Sequence, residues 1–113
     1  MDNKVKVYES IIVSLLEEYA EMFNKQRDGV EATLVVDPKG LHYQLLNIGW
    51  QRDEYVFYVI FHFDIKDGKV WLQENRTDVL IAKELVERGI PQNDIVLGLQ
   101  FPELREMSGY AVA

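Results

Sequence analysis

His62 and Asp64 are the two side chains of this 113-residue chain whose types and spacing suit chemistry. An imidazole beside a carboxylate can serve as a general base with its orienting partner. Two residues apart on a strand, they share a face at about 7 Å, so a direct hydrogen bond needs favourable rotamers. Base catalysis also needs something to activate, and the cross-strand positions hold Gln73 and Trp71, which are not nucleophiles. The sequence therefore assigns His62 as a polar-tipped spacer beside Trp71 and Tyr43, with no catalytic residue. A metal centre needs three or four converging ligands. The histidines are His42 and His62. A two-residue Arg52-Asp53 turn would set His42 opposite Phe63 and Tyr43 opposite His62, pointing the imidazoles to opposite faces, so neither a metal nor a cofactor is expected. Gly-rich phosphate loops are absent, and Ser10, Ser14 and Ser108 lack a nucleophile-elbow context.

The segment that must position these residues is His62-Phe-Asp-Ile-Lys-Asp-Gly-Lys-Val-Trp71. It reads as strand, Asp67-Gly68 turn, strand, because a type I′ turn needs φ > 0 at both central residues and Asp-Gly accepts that. The turn predicts Lys66 opposite Lys69, Ile65 opposite Val70, Asp64 opposite Trp71, Phe63 opposite Leu72 and His62 opposite Gln73. Strand alternation then puts Phe61, Phe63, Ile65, Val70 and Leu72 on a core face. His62, Asp64, Lys66, Lys69, Trp71 and Gln73 share the other, mixed face. An indole there is either an interface anchor or is covered by the tail or a second helix, and the sequence leaves both open.

Around this hairpin the elements follow from periodicity. Residues 3–25 predict one amphipathic helix, with Val5, Tyr8, Ile12, Leu15, Tyr19 and Met22 at spacings of three and four, widened by Ile11, Leu16 and Phe23. The heptad is compatible with a coiled-coil seam, but the stripe is wider than two positions and suits packing on the domain's own sheet. Gly29 suits a left-handed helix cap. Val30–Val36, Leu41–Trp50, Tyr55–Ile65 and Lys69–Glu74 read as strands joined by short turns, hence an antiparallel meander. Thr77 reads as the N-cap of a helix from Asp78 to Arg88, closed by Gly89 and Pro91. Asp94–Gln100 is short and strand-like, and the tail to Ala113 is too apolar to float free. The fold class is α+β: a long N-terminal helix, a four-stranded antiparallel meander, a second helix, and a short C-terminal strand and tail, in a single domain spanning 1–113.

Composition bounds the partners. Nineteen acidic and 12 basic residues leave a net charge of −7. Duplex affinity rests on cations that displace counterions, so direct nucleic-acid binding is disfavoured. It would need a patch formed by Lys4, Lys6, Lys66, Lys69 and Arg76. The absence of cysteine removes disulfides and thiolate sites and fits a reducing cytoplasmic setting. Neither an apolar run of membrane-spanning length nor a secretory signal is expected. Edge strands and the heptad-compatible helix make a homo-oligomer conceivable.

Five ordered segments carry a family likeness: HYQLLNIGWQ (42–51), HFDIKDGKVW (62–71), IAKELVERGIP (81–91), DIVLGLQ (94–100) and SGYAVA (108–113). The chain resembles the fdxN element excision controlling factor family, the XisI-like proteins of cyanobacteria. Arg105 with Gly109-Tyr110 matches that family's C-terminal pattern, although PELREMSGY is poorer in proline and arginine than the resemblance leads one to expect. The resemblance implies a controlling factor for excision of a DNA element during heterocyst differentiation, acting beside a recombinase and a companion XisH-like protein. It implies a non-catalytic regulator that docks this companion through the mixed sheet face and tail: His62, Asp64, Lys66, Lys69, Trp71, Gln73, Arg105 and Tyr110. A direct DNA-binding accessory factor of recombination is the alternative, and a small enzyme built on His62 and Asp64 is the third.

Overall fold

The computed structural model describes residues 3–113. Helix α1 (Asn3–Gln26) is followed by β1 (Val30–Asp37), β2 (His42–Gln51), β3 (Glu54–Lys66) and β4 (Lys69–Asn75). Helix α2 (Ile81–Glu87), a 3₁₀ turn at Gln92–Asp94, β5 (Ile95–Leu97) and a second 3₁₀ segment at Pro102–Met107 complete the chain. The expected α+β class holds, but the sheet has five strands in the order β1-β2-β3-β4-β5. β1 to β4 pair antiparallel. β5 returns through α2 to lie parallel to β4, as a crossover connection requires. Val96 then bridges Ala111, which fastens the tail to the sheet edge.

Helix α1 packs against one face of the sheet. Tyr8, Ile12, Leu15 and Leu16 are buried in the same core as Tyr43, Leu45, Phe61, Phe63, Ile65, Val70 and Leu72. Val5, Ile11, Tyr19 and Phe23 are half-buried against that core, while Met22 at the end of the expected stripe is exposed. Ile81, Ala82 and Leu85 of α2 join the same core. Polar contacts pin the helix: the Tyr8 hydroxyl donates to Asp94, and Tyr19 donates to Glu84 Oε2 at 2.7 Å. The Tyr8 hydrogen bond holds the Asp94 carboxyl below its ordinary value, against an opposing effect of burial.

Two expectations need correction. Thr77 does not cap α2, which starts at Ile81 with Leu80 as its cap residue. The Thr77 hydroxyl donates to Asn75 Oδ1 at 2.7 Å and accepts the Val79 amide at 3.0 Å. It is spent on a local turn of the kind that competes with capping. The register of β3 also departs from the regular ladder. The Asp67-Gly68 turn forms as expected, with φ of 52° and 75°, and Lys66 to Phe63 pair as predicted. At His62 the β3–β4 ladder slips, so His62 opposes Glu74 and not Gln73. A second slip lies between β2 and β3. Gln51 to Leu46 pair regularly with Glu54 to Val59, but Leu45 pairs with Phe61, leaving Ile60 as the extra residue of a bulge.

Candidate functional site

The Ile60 bulge decides what the open sheet face contains. A one-residue offset exchanges the faces on which side chains meet. Beyond the bulge, His42 opposes Asp64, Tyr43 opposes Phe63 and Gln44 opposes His62. The two histidines therefore share a face, and the geometric reason for expecting them apart is removed. Tyr43, placed beside His62 by the regular ladder, instead lies in the core, where its hydroxyl donates to Glu9 Oε2 at 2.6 Å. It joins neither histidine, so an acid–base site combining it with His62 and Asp64 does not form.

What does form is a small polar cluster. Asp64 Oδ1 lies 2.6 Å from His42 Nδ1 and 2.7 Å from His62 Nε2. The other nitrogen of His62 contacts Gln44 Oε1 at 2.8 Å, and Gln73 Nε2 donates to Asp64 Oδ2 at 3.3 Å. His42 is exposed, whereas His62 and Asp64 are half-buried. The Asp64 hydrogen bond raises the His42 pKa above its ordinary value. Burial alone would push the Asp64 carboxyl up, but the hydrogen bonds from His42 and His62 outweigh it and hold it below the ordinary range. Because the folded pKa of His42 is raised, its contribution to stability is complete below about pH 6.5 and is lost as pH rises through the folded value. Asp64→Asn is expected to return the His42 midpoint toward that ordinary value, read from its imidazole proton shifts by NMR. An unmoved midpoint would contradict the pairing.

Each mixed-face residue has a definite place. The Trp71 ring is flanked by Lys66 Nζ at 4.2 Å and by the Arg105 guanidinium carbon at 5.3 Å. Arg105 also donates to the carbonyls of Leu97 and Gly98, both at 3.2 Å. Of the two roles left open for Trp71, the tail does reach over it. Lys69 donates to the Ala113 carbonyl at 2.8 Å, and Tyr110 packs half-buried against the core. Lys4 pairs with Asp94 at 3.1 Å and Arg76 with Glu74 at 3.7 Å. The residues proposed for a basic patch thus include several already engaged with acids, an aromatic ring or the chain end.

Sequence reasoning passed over the other end of the same face. Trp50 pairs with Tyr55, Ile48 with Phe57 and Leu46 with Val59. By alternation along β2 these share the face of Gln44 and His42, away from α1. Trp50, Tyr55 and Phe57 are 58, 53 and 62% exposed. Trp50 and Tyr55 rest on one another with ring centroids 5.2 Å apart.

The XisI protein family model matches residues 1–112. The crystal structure of a XisI-like protein from Anabaena variabilis ATCC 29413 is 44% identical, superposes with a TM-score of 0.89, and aligns over 96% of this chain and 99% of its own. The fdxN element excision controlling factor XisI from the same organism is 32% identical with a TM-score of 0.84, over 98% of this chain and 100% of its own. No curated protein matches the chain. In this chain no helix among the described residues is long and apolar enough to cross a membrane.

Proposed function

The chain belongs to the XisI family, and on that premise we propose that it is a controlling factor for excision of a DNA element of the fdxN type. It acts as a non-catalytic regulator in the cytoplasm, by docking a XisH-like protein. The observation that carries the docking reading is the end of the sheet face that the tail does not reach, which displays Trp50, Tyr55 and Phe57, each more than half exposed. Exposed aromatic groups of this kind mark interaction surfaces, and aromatic anchors dominate interface energetics. The face runs from these rings to the His42–His62–Asp64 cluster and on to Trp71, so the mixed-face residues form its polar end. The net charge of −7 supports a protein partner over a phosphate backbone.

Co-purification with a XisH-like protein tests this reading. The Trp50→Ala/Phe57→Ala double variant is expected to weaken the complex by roughly thirtyfold or more, the equivalent of about 2 kcal/mol for an interface hot spot. Circular dichroism checks that the variant is folded. Undiminished complex formation by a folded variant would sink the proposed surface. Duplex retardation by the isolated protein with a steep salt slope would support the DNA-binding alternative. Size-exclusion chromatography separates a third occupant, a second copy. Residues 54–59 of β3 pair with β2 on one side but not with β4 on the other, leaving an edge that another chain can use.

A further inference from the structure

We propose that His42, His62 and Asp64 form a binding site for a divalent late-first-row transition ion such as Zn²⁺. Their three ligand atoms lie within 4.8 Å of one another. Two imidazoles and a carboxylate are a donor set suited to such ions, whereas Mg²⁺ and Ca²⁺ prefer oxygen alone. Metal bonds of 2.0–2.1 Å place tetrahedral ligand atoms about 3.3 Å apart. The present separations from Asp64 Oδ1 are 2.6 and 2.7 Å. Opening them by several tenths of an ångström is within the reach of side-chain torsions alone. Binding of the ion requires the two ring nitrogens facing Asp64 to be unprotonated, any proton they carry leaving to solvent or to the opposite nitrogen of the ring.

Outer contacts fit the same role. Gln44 Oε1 contacts the remote His62 nitrogen at 2.8 Å, and an acceptor at that position fixes the tautomer that presents Nε2 as a ligand. Gln73 holds the second Asp64 oxygen and so leaves Oδ1 facing the histidines. The Asp37 carboxylate accepts the amides of Lys39 and Gly40 and shapes the loop that delivers His42. A Cβ on Gly40 would lie 2.8 Å from His42 Cδ2 and 3.0 Å from Nε2, so this ring is seated directly against the loop backbone. Three protein ligands leave the fourth position of a tetrahedral ion to water or a further ligand.

The test is calorimetric titration of the chelator-stripped, untagged full chain with Zn²⁺, with Mg²⁺ as control and Co²⁺ absorption reporting coordination. One Zn²⁺ per chain is expected, with no saturable Mg²⁺ binding. His62→Gln and His42→Ala should each weaken Zn²⁺ at least tenfold, and Gln44→Ala by roughly tenfold, as loss of an outer-sphere partner does. His42 is exposed, so its variant keeps the question answerable if His62→Gln fails to fold. No saturable Zn²⁺ binding by the parent chain would overturn the proposal. So would Zn²⁺ affinity unchanged in folded His42→Ala.

Discussion

Phe61→Ala is expected to lower the stability of the protein by about 3–5 kcal/mol, the range for truncating a fully buried aromatic residue. Phe61 is 0% exposed and sits in β3, the strand flanked by β2 and β4 at this level of the sheet. Its ring meets Tyr19 of α1 edge-on at 5.5 Å, and its backbone pairs with Leu45. It therefore ties helix to sheet beside the bulge residue Ile60, itself only 2% exposed. The space left by the ring has rigid surroundings on both sides and little freedom to collapse, which places the cost in the upper part of that range. At about 4 °C per kcal/mol for a domain of this size, the melting temperature should fall by roughly 12–20 °C. Denaturant and thermal unfolding by circular dichroism measure this directly. A loss below about 1 kcal/mol would be incompatible with the packing described.

The same region explains how far the sequence could be read. The Asp67-Gly68 hairpin was legible because its cause is local: two adjacent residues that accept positive φ. The register next to it followed for four pairs and then failed at His62. A bulge is announced in sequence only if alternation breaks visibly. From Tyr55 to Phe61 the chain reads Tyr-Val-Phe-Tyr-Val-Ile-Phe, apolar at every position. Such a run carries no period to mark which residue is extra, so Ile60 could not be singled out. The consequence falls on the candidate site, because that one residue decides whether His42 meets Asp64 or Phe63.

The same run concealed the exposed aromatic end. When both faces of a strand are apolar, composition cannot say which one the helices cover, and Phe57 and Tyr55 read as core as readily as Phe61. The pairing of β5 with β4 was illegible for another reason. Three residues carry little period, and their parallel register depends on contacts made through α2 and the tail. The Thr77 error came from competition. Asn75 lies two residues earlier and takes the hydroxyl for a turn, an outcome that a capping preference does not weigh.

Gly49→Ala is the second change with a large expected effect, because its cause lies in the backbone. Gly49 has φ of 145°, and a Cβ there would stand 2.0 Å from the Gly29 carbonyl oxygen and 3.0 Å from Val30 Cα. That same oxygen accepts the Trp50 amide at 2.9 Å, closing the β1–β2 ladder next to the Val30–Gly49 pair. A methyl group cannot be housed by rotating a side chain, since the obstructing atoms are backbone atoms of Gly29 and Val30 where the chain enters β1. The strand end must separate, which gives up the Trp50 hydrogen bond and adds backbone strain of about 1–3 kcal/mol. A total loss of about 3–4 kcal/mol is expected, with faster amide exchange at Trp50. Gly68→Ala is the matched control: it too has positive φ, 75°, but its nearest obstruction is the far end of Lys4 at 3.4 Å. It should cost only about 1–2 kcal/mol, the strain of a left-handed alanine without a collision. Equal losses in the two variants would mean that strand contact at Gly49 is not what requires glycine there. A larger loss at Gly49, with the exchange change confined to the β1–β2 end, would assign the difference to that contact.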